Sequence, residues 1–289
     1  MLPSLKLFDL TGKTALVTGA SYGLGVTFAE ALAGAGAAVI LTARSAERLE
    51  ETAEKIRAAG GNATAAACDV TDTEQVEALV AAQWERAGRI DILVNNAGVA
   101  EMGIPERVPD EAFAKTIQVN LVGVWYLSRA VGSRMLADGR GGSIINISSI
   151  CGITGMPNHG PAYQASKFGV VGLTQNLAVS WGDRGVRVNA IAPGYFPSEM
   201  TQALLRVPSF ERWVCTNAAL GRPGRPEELS GALIYLASDA SSFVTGQVLA
   251  VDGGWTAAGG ANNLPEELLE KWERRMPGDL GKRIGVARG

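Results

Sequence analysis

Short runs of apolar, often β-branched residues alternate along the chain with longer runs of helical period. KTALVTG (13–19) reads as a strand, followed by a helix over 24–33 that Gly34 and Gly36 end. AAVILTA (37–43) is a second strand. Residues 45–61 form an amphipathic pattern with Ser45 as N-cap and glycines past the end. ATAAACDV (63–70) is a third strand, after which Asp72 or Thr73 caps a helix to about Ala87. DILVNNAG (91–98) is a fourth strand with its turn, and a long helix is expected from about Glu111 through Asn120 to Leu136. GSIINISS (142–149), VRVNAIAPG (186–194) and GQVLAVDGG (246–254) complete seven strands, with helices over 162–181 and 226–238 between them.

Near-continuous apolar strands joined through helices predict an α/β fold: a doubly wound (Rossmann) sheet, mostly parallel, with helices on both faces. Ligands of such sheets bind beyond the carboxyl ends of the strands. Residues 1–256 are expected to form one catalytic domain with a lid over about 195–220. Residues 257–289 are a C-terminal extension, read either as a surface appendage or as a cover for the active site or a neighbouring subunit.

The 289 residues, 47% hydrophobic, suffice for one large core. A net charge of −3 and the lack of a long basic stretch argue against nucleic acid as a partner. Cys68, Cys151 and Cys215 are scattered and odd in number, fitting neither a disulfide framework nor a metal pattern, which suggests a reducing compartment. The single histidine, His159, argues against a His-based metal site or a Ser-His-Asp triad. The first residues lack a secretory leader's apolar run, and the apolar segment 24–41 is broken by Glu30, Gly34 and Gly36. The expectation is a cytoplasmic protein with no metal and no membrane segment.

TGASYGLG (18–25) leaves the first strand and opens the first helix. Gly19, Gly23 and Gly25 suit a tight turn, close approach of backbone to a pyrophosphate, and close helix packing. Free N–H groups at a helix start favour an anion. In AYQASK (162–167), Tyr163 and Lys167 lie one helical turn apart on one face. A cation beside a phenol favours the phenolate, so the pair is a candidate acid/base. Alone, such a spacing is more often surface chemistry.

Taken together, these motifs resemble the short-chain dehydrogenase/reductase family over about residues 8–256. TGASYGLG, CDV (68–70), NNAG (95–98), the PG of PGYFPS (193–198) and the segment from Gly224 to Gly254 match its motifs in order. The resemblance implies a catalytic tetrad of Asn120, Ser149, Tyr163 and Lys167. Tyr163 would be the general acid/base, with Lys167 holding the nicotinamide ribose and lowering the phenol's pKa. Ser149 would hydrogen-bond the substrate oxygen, and Asn120 would hold a water in a proton relay. It implies cofactor contacts from Gly19, Ser21, Tyr22, Gly23 and Leu24, from Asp69 by the adenine and Val70, and from Asn96, Ala97 and Gly98. Tyr163, Lys167, Pro193, Gly194, Phe196 and Ser198 complete that set, Ser198 standing at the usual threonine position. The spacing from Ser149 to Tyr163 is one residue longer than the family's usual one, which places an extra residue in CGITGMPNHGPA. Strand alternation points Ser148 away from Ser149.

ILTARS (40–45) ends the second strand without the carboxylate that selects NAD: Ala43 stands there and Arg44 follows. An arginine can clamp a 2′-phosphate, so NADP(H) is the expected cofactor, with NAD(H) as the alternative. Tyr22 stands where many NADP-preferring relatives carry a basic residue. Met102, Ile153, Met156, His159, Tyr195, Met200 and Trp213 are candidate substrate contacts, and this lining is mostly apolar. PGYFPSEMTQAL and SFERW resemble the gluconate 5-dehydrogenase branch, whereas YFPS is also close to a 3-oxoacyl reductase pattern. An anionic sugar acid wants a cation, and neither GVAEMGIP nor CGITGMPNHG supplies one; Arg206, Arg212 and Arg222 could. The expected activity is therefore hydride transfer between NADP(H) and a ketone or secondary alcohol that is uncharged or partly apolar. A non-catalytic nicotinamide-nucleotide sensor is the alternative of another class. A small-molecule substrate and a homotetramer, or homodimer, are the expected partners.

Overall fold

The computed structural model of the protein describes residues 3–100, 103–156 and 160–258. Met102, His159 and residues 259–289 of the expected extension lie outside the described residues. The strands are β1 (Thr14–Thr18), β2 (Ala38–Ala43), β3 (Asn62–Ala67), β4 (Ile92–Asn95), β5 (Gly142–Ile147), β6 (Val186–Pro193) and β7 (Val248–Val251). The helices are α1 (Pro3–Lys6), α2 (Leu24–Gly34), α3 (Ala46–Ala58), α4 (Thr73–Ala87), α5 (Asp110–Ile117), α6 (Gly123–Asp138) and α7 (Pro161–Trp181), then α8 (Gln202–Leu205), α9 (Pro208–Asn217), α10 (Ser230–Ala237) and α11 (Trp255–Ala258).

The seven strands form one sheet in the order β3-β2-β1-β4-β5-β6-β7, and every pairing is parallel. Leu16 of β1 stands between Ile40 of β2 and Leu93 of β4. These three point to one face, where they meet Val76 and Val80 of α4, Leu127 and Val131 of α6, and Leu177 of α7. The alternate residues Val17, Val39, Leu41 and Val94 point to the other face, against Phe28 and Leu32 of α2, Leu49 of α3 and Leu233 of α10. Burial on both faces is why the strands read as unbroken apolar runs rather than alternating ones. The strand order reverses at β1 and β4, so the loops after these strands part and leave a crevice between them.

The helix starts expected at Ser45 and Asp72 are present. The Ser45 hydroxyl accepts from Arg48 N–H, and the Asp72 carboxylate accepts from the N–H groups of Glu74 and Gln75. The long helix expected over 111–136 is interrupted by a π turn at Gln118–Val122, between α5 and α6. The region 226–238 opens with a tighter 3-10 turn, Pro226–Leu229, before α10. After β6 the chain runs through α8, α9 and α10 before it returns to the sheet as β7.

Candidate active site

The glycine loop and the turn after β4 are locked together. Thr18 Oγ1 accepts from the backbone N–H groups of Asn96 and Ala97, both at 2.9 Å. Asn96 Nδ2 donates to the carbonyls of Thr18 and Gly19 at 3.0 and 3.2 Å. Gly19 has φ +65°, and a Cβ there would meet the Ala97 backbone at 2.8 Å. A side chain at Gly25 would collide with the Gly19 carbonyl. The loop is therefore pressed against its neighbour with backbone alone, which leaves a bare anion cradle at the start of α2.

A cleft of about 730 Å³ opens from this cradle along the carboxyl ends of the strands. Every cofactor position expected from the sequence lines it, from Gly19 through Arg44 and Asp69 to Ser198. Asp69 Oδ1 accepts from Thr71 N–H and Thr71 Oγ1 at 2.9 and 2.7 Å, which fixes the carboxylate at the cleft wall. The exposed Arg44 follows β2, with Arg48 one turn further on along the same wall. The lining thus fits a dinucleotide: a bare backbone cradle, an adjoining carboxylate, and arginines at the β2 end.

Ser149, Tyr163 and Lys167 line the inner part of the same cleft. Ser149 Oγ accepts from Cys151 N–H at 3.1 Å, and its hydroxyl lies near enough to the Tyr163 phenol to favour the ionised form. Ser148 is committed elsewhere, its hydroxyl donating to the Lys167 carbonyl at 3.0 Å. Lys167 is 5% exposed, and its Nζ donates to the Ile147 carbonyl at 2.9 Å, 5.5 Å from the Tyr163 ring centre. Burial pushes the Lys167 pKa down to about 8. Burial also pushes the Tyr163 phenol above its ordinary value, and the Ser149 hydroxyl only partly offsets this. The expected lowering by Lys167, which acts together with the positive charge of the oxidised cofactor, is a contribution separate from this cost of burial.

Asn120 sits in the π turn, fully buried, and does not line the cleft. Its Nδ2 donates to the Val99 carbonyl and to Ser166 Oγ, and its Oδ1 accepts from Val99 N–H. The amide hydrogens are thus engaged with protein groups, so a water relay would have to use another part of this residue.

Beyond Ser149, Tyr195 packs edge-on against Phe210 and Trp213 of α9, and its ring centre lies 5.0 Å from that of Trp255. Met156 and Cys151 belong to the same apolar cluster. The structure thus unites Met156, Tyr195 and Trp213. Ile153 is 37% exposed and outside that cluster, while Met200 lines the cleft beside Glu199. Arg222 is held by Glu228 at 2.8 and 2.7 Å, and the exposed Arg206 and Arg212 do not line the cleft. Sequence reasoning did not single out Trp255, Arg48 or Glu199. Arg48 had a signal, standing one helical turn beyond Arg44; Trp255 had none, because only the tertiary fold brings it to Tyr195.

Among the described residues, no group of three His, Cys, Asp or Glu could hold a metal ion, and no helix is long and apolar enough to cross a membrane. A family model described as Enoyl-(Acyl carrier protein) reductase matches residues 19–256. A gluconate 5-dehydrogenase of Gluconobacter oxydans (strain 621H) is 43% identical over 252 residues, 87% of this chain and 98% of that protein. A galactitol 2-dehydrogenase (L-tagatose-forming) of Cereibacter sphaeroides is 42% identical over 252 residues, 86% of this chain and 97% of that one. The crystal structure of a gluconate 5-dehydrogenase from Burkholderia cenocepacia J2315, in complex with NADP and tartrate, superposes with a TM-score of 0.85. It is 40% identical and covers 88% of this chain and 99% of its own.

Proposed function

The chain belongs to the short-chain dehydrogenase/reductase family of NAD(P)-dependent oxidoreductases, and from that premise we propose that it interconverts an uncharged ketone, of ketose type, with its secondary alcohol using NADP(H). The observation that carries this reading is the meeting of Ser149, Tyr163 and Lys167 at the inner end of a cleft whose other end holds the glycine cradle and Arg44. The nicotinamide, when bound, supplies or accepts the hydride.

Tyr163 gives its proton to the carbonyl oxygen in reduction and takes it back in oxidation. The phenol is protonated near neutrality, and the Lys167 ammonium, 5.5 Å from its ring centre, favours the phenolate that proton transfer leaves. Ser149, which lines the cleft with Tyr163, binds the substrate oxygen and stabilises its developing charge. Lys167 holds the ribose hydroxyls and contributes positive charge below its pKa of about 8. Asn120 ties the Val99 loop to α7 through Ser166, and so keeps Tyr163 in place. The segment 195–220 serves as the lid over the substrate. Arg44 favours the 2′-phosphate, and the NADP in the related crystal structure supports that preference.

An uncharged substrate is favoured because the apolar cluster of Met156, Tyr195, Trp213 and Trp255 contains no cation, and the cations of the cleft besides Lys167 are Arg44 and Arg48 beyond β2 and Lys115 of α5. Similarity to a galactitol 2-dehydrogenase points the same way. A sugar-acid substrate is the second reading, supported by the similarity to gluconate 5-dehydrogenases. A homotetramer or homodimer is supported by the exposed Val179 of α7, Phe243 of the loop before β7 and Leu249 of β7. The test is NADPH oxidation with a panel of ketohexoses, keto sugar acids and 3-oxoacyl thioesters. Turnover of ketohexoses at higher kcat/KM than keto acids supports the reading. Nicotinamide binding with no turnover on the whole panel would turn it into that of a sensor.

A further inference from the structure

Arg48 and Glu199 face each other across the mouth of the cleft. Arg48 is the third residue of α3, on the wall beyond β2, and Glu199 belongs to the segment that follows β6. Arg48 Nη1 lies 3.9 Å from Glu199 Oε1, and both side chains line the cleft. They are 55% and 59% exposed, so each can exchange this partner for another at little cost. Arg44 and Ser45 line the same wall one helical turn before Arg48. Two guanidinium groups four residues apart at the start of a helix make a pocket for a dianion, and Ser45 with the first turn of α3 adds hydrogen-bond donors.

We propose that Arg48 is a specificity-determining residue for the 2′-phosphate of the cofactor, and that Glu199 competes with that phosphate for it. This rests on the NADP(H) reading given above. Without a phosphate, Arg48 pairs with Glu199 and ties the β6–α8 segment to α3. A 2′-phosphate draws Arg48 away, and Glu199 is left as a negative charge at the rim. A cofactor lacking the phosphate leaves the pair in place. Cofactor choice is thus linked to how the segment from Glu199 to α9 is fastened over the cleft.

Binding is read with 2′,5′-ADP and 5′-AMP, which probe the adenosine end without turnover, by calorimetry on the full chain at low salt. Arg48→Ala is expected to weaken 2′,5′-ADP about tenfold, as for one charge-assisted contact, and to leave 5′-AMP unchanged. Glu199→Gln is expected to tighten 2′,5′-ADP about twofold to fivefold, the scale of an exposed ion pair, with no effect once Arg48 is alanine. Unchanged 2′,5′-ADP affinity in Arg48→Ala, or a Glu199→Gln gain that persists without Arg48, overturns the inference. If discrimination is lost only in Arg44→Ala, the NADP(H) reading stands and the role of Arg48 falls. If the unsubstituted protein binds 5′-AMP as tightly as 2′,5′-ADP, both fall.

Discussion

Asn120 and Val99 exchange two hydrogen bonds. Val99 N–H donates to Asn120 Oδ1 at 2.8 Å, and Asn120 Nδ2 donates to the Val99 carbonyl at 2.9 Å. The side-chain amide thereby acts as a surrogate strand partner for the loop after β4. Its second donor contact, to Ser166 Oγ at 3.2 Å, continues to the Tyr163 carbonyl at 2.7 Å. One buried residue thus joins the cofactor loop to the helix of the acid. Replacing Asn120 with alanine leaves both Val99 groups unpaired. Asn120→Ala should lower stability by roughly 1–3 kcal/mol, read as a lower urea midpoint at unchanged slope. An unaltered midpoint would contradict this role.

Neighbouring serines have separate tasks. Ser149 faces Tyr163, and Ser148 holds the backbone of Lys167. Ser149→Ala should cut kcat by about 10²–10³, the scale of losing a donor to a developing oxyanion. Ser148→Ala should cost about 1 kcal/mol of stability and leave most of the turnover. If only Ser148→Ala removes turnover, the assignment of Ser149 is wrong.

Lys167 makes stability depend on pH with a definite sign. Its pKa falls from an ordinary 10.5 to about 8 in the fold because it is buried. Between these values the unfolded chain binds more protons, so this residue makes stability rise with pH. Below pH 8 the full cost of burying the charge is present. The Tyr163 pKa is raised above its ordinary 10.0, so its opposing effect begins only above that pH. Between pH 8 and 10 the protein should therefore gain roughly 2–3 kcal/mol relative to Lys167→Met. Parallel stability curves for the two proteins, measured by urea unfolding, would refute the shift.

Much of this was legible in the sequence because local chemistry dictates it. Ser45 and Asp72 announce their helices as caps, and the glycine loop has the spacing that a backbone cradle requires. Cofactor positions are set by strand ends, so ordering the strands was enough to collect Arg44, Asp69 and Ser198 around one cleft. The π turn was not legible: the helical period runs unbroken through residues 111–136, and the interruption coincides with a contact to Val99, distant in sequence. Neither was the cost of burying the Tyr163 phenol. Spacing reveals a lysine one turn away but not how far the phenol is buried. Trp255 lies beyond the last strand and meets Tyr195 and Trp213 only after the sheet is assembled.

The most direct measurement is single-turnover NADPH oxidation with a ketohexose by Tyr163→Phe, beside NADPH binding followed by fluorescence. If Tyr163 is the proton donor, the rate should fall by at least about 10²–10⁴, the range for removing a general acid, with NADPH affinity nearly unchanged. A rate close to that of the unsubstituted protein, with the cofactor bound, would contradict the account.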